Sequence, residues 1–365
     1  MPVVGVIGGG QLARMMIPPA VALGIELRVL AETVDASARL AATAVGDYRD
    51  PDTVLTFARD CDVITFDHEH VPQEVLRALV NAGVAVRPGP DALLHAQDKL
   101  TMRARLAELG IPQPDWARVE SAEALGSFLA DHGGRAVVKT PRGGYDGKGV
   151  RVVSQPGEVD DWLANGPVLV EELVPFQREL AQLIARRPSG EARTWPLVET
   201  VQRGGVCAEV IAPAPRATDA VERAAAEIAT SVAHGLDVTG VLAVELFESN
   251  DGRVLVNELA MRPHNSGHVT IDGHITSQFE QHLRAVLDWP LGETEALADW
   301  GVMINVFGGL PDDRIAAALA HQPSAKVHAY GKSQREGRKA GHVTAIGAEL
   351  DDVAYRARAA AACFD

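Results

Sequence analysis

Two glutamates are spaced so that they can share a proton or a metal ion. The run from Val241 to Leu259 reads as a β-hairpin, and Asp251-Gly252 has the residue types of the two central positions of a type I′ turn. Counting outward from that turn sets Glu245 opposite Glu258, with β-carbons roughly 4.5–5.5 Å apart. The strands are otherwise filled by Val241, Leu242, Val244, Leu246, Val254 and Leu255. Like charges across a ladder repel. Such a pair therefore shares a proton, sits at a wet face with little coupling, or holds a divalent cation, and oxygen-seeking Mg²⁺ suits it.

A second group of residues suits phosphate. Gly143-Gly144-Tyr145-Asp146-Gly147-Lys148-Gly149 follows the strand Ala136 to Lys139. Its glycines let backbone N–H groups approach an anion, and Lys139 and Lys148 supply counter-charge. The segment is no Walker A loop, because it lies between strands and lacks G-x-x-x-x-G-K-[ST]. A mobile turn is the plain alternative. Lys332, Arg335, Arg338 and Lys339, with His342 close by, form a basic cluster that reads either as a solvated run or as a phosphate site. Arg262-Pro263-His264-Asn265-Ser266-Gly267-His268 directly follows the Glu258 strand and becomes a site candidate by that position. Gly8, Gly10 and Ala13 match G-x-G-x-x-[GA], with Glu32 ending the next strand, which keeps a dinucleotide site as an alternative.

The elements that must hold these groups follow from apolar periodicity. Val3 to Ile7, Glu26 to Leu30 and Val63 to Phe66 read as parallel strands, alternating with helices at Gln11 onward, Pro51 to Arg59 and Pro72 to Asn81. Pro18-Pro19 predicts a kink in the first helix. Pro88-Gly89-Pro90 and Ile111-Pro112-Gln113-Pro114 bracket one helix over Asp98 to Leu109 and mark a domain border. The middle of the chain is hairpin-rich α+β, with a helix from Asp219 to His234, and the last part reads as short strands before an Ala-rich helix from Asp352. The expected domains are 1–95, 96–295 and 296–365.

With 49 acidic against 34 basic residues the net charge is −15, which opposes nucleic acid and anionic membranes and requires a local basic pocket for any anionic ligand. The three cysteines, Cys61, Cys207 and Cys363, have no metal or disulfide spacing, so reduced thiols and a cytoplasmic location are expected. No apolar stretch is long enough to suggest a signal peptide or a membrane span.

Taken together, Gly8-Gly9-Gly10-Gln11-Leu12-Ala13-Arg14-Met15, the Gly143–Gly149 loop, Asn257 to His268 and Gly337-Arg338-Lys339-Ala340-Gly341-His342 resemble the 5-(carboxyamino)imidazole ribonucleotide synthase family, over nearly the whole chain. The resemblance implies the ATP-grasp fold: an N-terminal Rossmann-like parallel-sheet domain, a central ATP-grasp domain and a small C-terminal domain. It implies an ATP-dependent ligase of purine biosynthesis. The reaction joins bicarbonate to 5-aminoimidazole ribonucleotide through carboxyphosphate, and the enzyme is expected as a homodimer.

Carried over by position, Lys99 and Lys139 meet the ATP phosphates beneath the lid residues Gly144, Tyr145, Asp146, Gly147, Lys148 and Gly149. Glu171, Glu172, Leu173 and Val174 meet the adenine, Glu179 takes the ribose, and Gln202 and Asn257 join the nucleotide site. Glu245 and Glu258 hold Mg²⁺. Gln11, Leu12, Glu69, Tyr145, Asp146 and His268 surround the ribonucleotide, Lys332, Arg338 and Lys339 take its phosphate, and Asp146 or His268 orients the amine or accepts its proton. Three features depart from the family pattern: Ala13 replaces a usual glycine, the acidic stretch reads Phe66-Asp67-His68-Glu69-His70-Val71, and His95 stands where some relatives have arginine. Two alternatives remain, a formate-using glycinamide ribonucleotide transformylase of the same superfamily and an NAD-dependent oxidoreductase.

Overall fold

Apolar β-rich segments at the N-terminus build a small parallel sheet. The computed structural model describes residues 1–144 and 148–364. Strand β1 (Val3–Ile7) leads through the glycine turn into α1 (Gln11–Leu23), followed by β2 (Glu26–Ala31), β3 (Ala42–Val45), α2 (Pro51–Ala58), β4 (Val63–Phe66) and α3 (Gln73–Asn81). The four strands pair in parallel in the order β3-β2-β1-β4. Ile7, Leu30 and Phe66 face α2 and α3, while Val4 and Val6 face Leu12, Ala13 and Met16 of α1. Pro18 and Pro19 lie inside α1 without ending it, because its buried face, including Ala20, is held by this packing.

The proline-bracketed segment forms two helices rather than one. Pro90 starts α4 (Pro90–Gln97), and α5 (Lys99–Glu108) begins after Asp98, whose extended backbone breaks the helix and whose carboxylate caps Thr101 N–H at 3.0 Å. Next come β5 (Trp116–Val119), α6 (Ala122–Asp131), β6 (Ala136–Lys139), β7 (Val150–Val153), α7 (Asp160–Leu163) and β8 (Val168–Glu172). Their antiparallel sheet has the order β5-β8-β6-β7 and packs Val138, Val153 and Val170 against Leu125 and Leu129 of α6. This sheet presents Lys139 at the end of β6.

The remaining strands are β9 (Phe176–Arg186), β10 (Ala192–Thr194), β11 (Val198–Arg203), β12 (Val206–Ala212), β13 (Gly240–Ser249) and β14 (Val254–Ala260). Beyond them lie β15 (Trp300–Gly308), β16 (Lys326–Ala329) and β17 (Arg335–Gly347). All but β10 form the path β14-β13-β9-β11-β12-β15-β17-β16, with β10 on β9. Residues 296–365 therefore extend the central sheet through the β12–β15 pairing rather than building a sheet of their own. The C-terminal strands are not all short, since β17 spans 13 residues and runs antiparallel to β15. Of the helices α8 (Asp219–Gly235), α9 (Thr270–Gly273), α10 (Gln278–Val286), α11 (Asp312–His321) and α12 (Leu350–Ala361), α10 matters most for the site. Its Phe279, Leu283 and Val286 join the core under β1 and α1, locking the N-terminal sheet onto β13. Among the described residues no helix is long and apolar enough to cross a membrane.

Candidate active site

Glu245 does face Glu258, but the hairpin reaches that arrangement by another route than the sequence suggests. Ser249 N–H donates to Arg253 C=O at 2.9 Å, so the turn is a three-residue loop, Asn250 to Gly252. Gly252 has φ of 82°, whereas Asp251 stays outside the positive-φ region a type I′ turn requires of it. Up to Leu246↔Val256 the register is one residue off the expected one; a bulge at Asn257 then restores it, giving Glu245↔Glu258 and Val244↔Leu259.

Two clefts meet at this pair. One, about 430 Å³, is lined by Lys139, Glu171 to Val174, Glu179, Gln202, Asn257 and the stacked rings of Phe176 and Phe247 (centroids 4.6 Å apart). The other, about 640 Å³, is lined by Gln11, Leu12, Asp67, Glu69, Lys99, Gly144, Arg262 and His268. Glu245, Glu258, His264, Asn265 and Lys339 line both.

Around the carboxylates the charges are tightly matched. Lys99 Nζ lies 2.5 Å from Glu258 Oε1, and His264 Nε2 lies 3.2 Å from Glu245 Oε1. Burial pushes the Glu245 carboxyl up, but the His264 hydrogen bond and charge, with Arg262 and Lys139, carry it below the usual carboxylate range. Glu179 moves the other way, to about 7, through burial and the charge of Glu245, against a hydrogen bond with Gln202. Lys139 Nζ contacts Glu171 Oε2 at 2.7 Å and donates to Asn257 Oδ1 at 3.0 Å. The other Glu171 oxygen accepts from Arg103 Nε at 2.7 Å, so this buried carboxylate is committed to two cations.

The glycine loop is pinched at its neck. Gly149 has φ of 72°, and a Cβ there would stand 2.4 Å from Thr140 Oγ1; one on Gly144 would stand 2.8 Å from Lys148 C=O. Neither position admits a side chain without the neck opening. Tyr145, Asp146 and Gly147 lie outside the described residues, whereas Lys148 lies just beyond them in the loop.

In the larger cleft, Glu69 is held by Met261 N–H (2.9 Å) and Arg262 Nε (2.8 Å). Lys332 donates to Gln11 Oε1, and burial, with nearby Arg338, lowers its ammonium pKa to about 8. Arg338 donates to Ser333 Oγ at 3.1 Å, and of the three expected phosphate residues only Lys339 lines a cleft; Lys332 reaches it through Gln11. His268 is buried, and burial first, then neighbouring cations, hold its pKa well below the usual imidazole value. Its tautomer follows from Gln278: Oε1 accepts from His264 N–H at 2.8 Å, so the Gln278 amide nitrogen donates to His268 Nδ1 at 3.0 Å. The ring hydrogen therefore sits on Nε2, making His268 a donor there.

The structure removes the dinucleotide alternative. Asp67 Oδ1 accepts from Ala13 N–H at 2.7 Å, and a Cβ on Gly10 would fall 2.0 Å from Asp67 Oδ2. Glu32 accepts from Gly9 N–H at 3.2 Å. The protein's own carboxylates thus occupy the helix N-terminus that a pyrophosphate would need. Sequence reasoning also passed over Asp67, Arg103 and the Phe176–Phe247 stack; for Arg103 the available signal was its i+4 spacing from Lys99 on one helix. His95 lines neither cleft, and burial lowers its pKa.

Residues 1–97 match the ribonucleotide synthetase preATP-grasp domain, 104–279 the ATP-grasp domain and 301–356 the phosphoribosylaminoimidazole carboxylase C-terminal domain. The N5-carboxyaminoimidazole ribonucleotide synthase of Mycobacterium bovis is 49% identical over 99% of this chain and 87% of its own. The N5-carboxyaminoimidazole ribonucleotide synthetase structure from Thermus thermophilus superposes with a TM-score of 0.91 at 35% identity, covering 99% of this chain and 98% of that one. The Aspergillus clavatus synthase, solved with ADP and 5-aminoimidazole ribonucleotide, gives 0.90 at 30% identity, covering 100% and 98%. The chain belongs to the N5-carboxyaminoimidazole ribonucleotide synthase family of ATP-grasp ligases.

Proposed function

We propose that the protein carboxylates 5-aminoimidazole ribonucleotide with bicarbonate, converting ATP to ADP and phosphate, as the names of its relatives indicate for them. The observation that carries this reading is the meeting of two clefts at Glu245 and Glu258. One is apolar-floored and lysine-ended, suited to a nucleotide; the other is polar, with Lys339 in its wall and Lys332 bonded to its Gln11, suited to a phosphorylated small molecule.

In this reading Lys99, Lys139 and the amides of the glycine loop grip the triphosphate, Glu172 to Val174 border the base, and Glu179 and Gln202 meet the ribose. Mg²⁺ fits the donor set. Glu245 and Glu258 are cross-strand neighbours that line both clefts, and among the described residues no group of three acidic, His or Cys ligands forms there, so phosphate oxygens would have to complete the set. Held by Glu245 and Glu258, such an ion would supply positive charge against the transferring phosphoryl group. Lys139 adds a fixed positive charge, and the closing loop keeps water from the labile carboxyphosphate. His268, neutral and hydrogen-bearing at Nε2, orients the substrate by donating a hydrogen bond, which leaves proton acceptance to Asp146 or a phosphate oxygen. The same reading carries a cytoplasmic homodimer, which sedimentation tests.

The deciding experiment measures ADP formation with ATP alone, then with bicarbonate, then with bicarbonate and the ribonucleotide. Turnover should be greatest with all three; a rate indifferent to the ribonucleotide rejects the proposal. A second expected result concerns the basic cluster around Lys332. Arg338→Ala should raise KM for the ribonucleotide roughly 10-fold or more, the size of a lost charge-assisted hydrogen bond, with a smaller change for ATP. Equal shifts for both substrates would remove Arg338 from the phosphate site.

A further inference from the structure

The bulge lets one strand feed the cleft with two consecutive side chains. In a regular strand Asn257 and Glu258 would point to opposite faces. With Asn257 as the extra residue, both stand opposite Glu245 and line the nucleotide cleft, between buried Val256 and buried Leu259. Asn257 takes Lys139 and Glu258 takes Lys99. Such a break costs ladder hydrogen bonds, so something must hold it.

Arg103 supplies that hold. Its side chain is fully buried on α5, one turn from Lys99. Its guanidinium donates to Val256 C=O at 2.7 Å, to Asn257 C=O at 2.8 Å and to Glu171 Oε1 at 2.7 Å. Successive carbonyls of a regular strand point in opposite directions, so one planar fork takes both only where the pleat is broken. Gln113 completes the enclosure, its amide nitrogen donating to Arg103 C=O at 3.0 Å. One arginine thus ties the bulge to Glu171, and Glu171 in turn fixes Lys139.

We infer that Arg103 is the positioning residue that holds the Asn257 bulge and, through it, sets Glu258 and Lys139 against the nucleotide; this rests on the cleft being the ATP site. Lysine would preserve the charge facing Glu171 without spanning two carbonyls. Deleting Asn257 would remove the bulge while leaving the pairs Leu246↔Val256, Glu245↔Glu258 and Val244↔Leu259 in register.

The test uses Arg103→Lys, deletion of Asn257 and their combination in the full chain. ADP affinity is measured by calorimetry without metal, alongside steady-state kinetics. Each single change should weaken ADP binding about 10-fold and lower kcat/KM for ATP about 100-fold, with KM for the ribonucleotide changed less than about 2-fold. The combined variant should fall no further than the worse single one, because both remove the same arrangement. Wild-type ADP affinity in folded Arg103→Lys, or losses that multiply in the combination, would overturn the inference. If Arg103→Lys does not fold, unchanged ADP affinity in the Asn257 deletion overturns it equally. Failure of the wild-type chain to bind ADP would instead reject the assignment of the cleft.

Discussion

Glu258→Gln is expected to lower kcat/KM for ATP by at least about 100-fold, or ~2.7 kcal/mol of transition-state stabilisation, in a chain that folds normally. The substitution keeps shape and removes one negative charge from the junction of the two clefts. Glu258 is the more exposed member of its pair with Lys99, at 38% side-chain exposure against 11%, so losing that ion pair changes stability little. Catalysis has no such tolerance. A glutamine oxygen is a poor ligand for a hard cation and offers no charge to oppose the Lys99 ammonium that must otherwise turn to phosphate. Measuring ADP release at saturating Mg²⁺, with thermal unfolding on the same sample, separates the two roles. Turnover within about 3-fold of wild type would remove Glu258 from the reaction, whereas a collapse of the melting transition would make its role structural.

The pairing of Glu245 with Glu258 was legible in the sequence for a partly wrong reason. Asp251-Gly252 suggested a two-residue turn, yet the loop has three residues, and the bulge at Asn257 cancels the error. A local sign existed: Val256-Asn257-Glu258-Leu259 breaks the two-residue alternation with consecutive polar residues, as a bulge requires. The N-terminal strand-turn-helix, Lys139 at the end of its strand and the glycine loop were legible because turn chemistry and apolar runs are local signals. The helix starting at Asp98 was legible too, but α4 was not, since its eight residues run straight into that cap without a turn signal between them. Least legible were the long-range links. Nothing near Asp67 says that it fills the first turn of α1, and nothing near Glu171 says that Arg103 and Lys139 share it. Nor does the last segment announce that β15 continues the central sheet. Such partners are chosen by the packed fold, where a buried charge must find its counter-charge wherever the chain brings one.

Moving from pH 7.5 to pH 5.5 should cost the protein roughly 3 kcal/mol of stability from two histidines alone, out of a usual total of about 5–15 kcal/mol. Burial lowers His282 to about 3 and His274 to about 4. In the unfolded chain both take up a proton near the ordinary value of about 6.5, so their contribution is complete above that pH. It is lost as pH falls towards the folded values, by about 1 to 2 kcal/mol each at pH 5.5. His268 and His342, also held well below the usual range by burial first, act in the same direction. Glu179, raised to about 7, opposes them and offsets part of the loss. The structure shows why His282 stays neutral. Val241 N–H donates to its Nδ1 at 3.0 Å, so Nε2 carries the hydrogen and meets Thr65 Oγ1 at 2.8 Å. A second ring proton would face the Val241 N–H directly. Thr65 lies on β4 and Val241 on β13, so the ring bridges the N-terminal sheet and the central one, and acid should open that seam. Urea denaturation of wild type and His282→Gln at the two pH values checks this. The variant should start less stable and lose about 1 to 2 kcal/mol less on acidification; an identical loss in both proteins would exclude His282 as a source of the acid sensitivity.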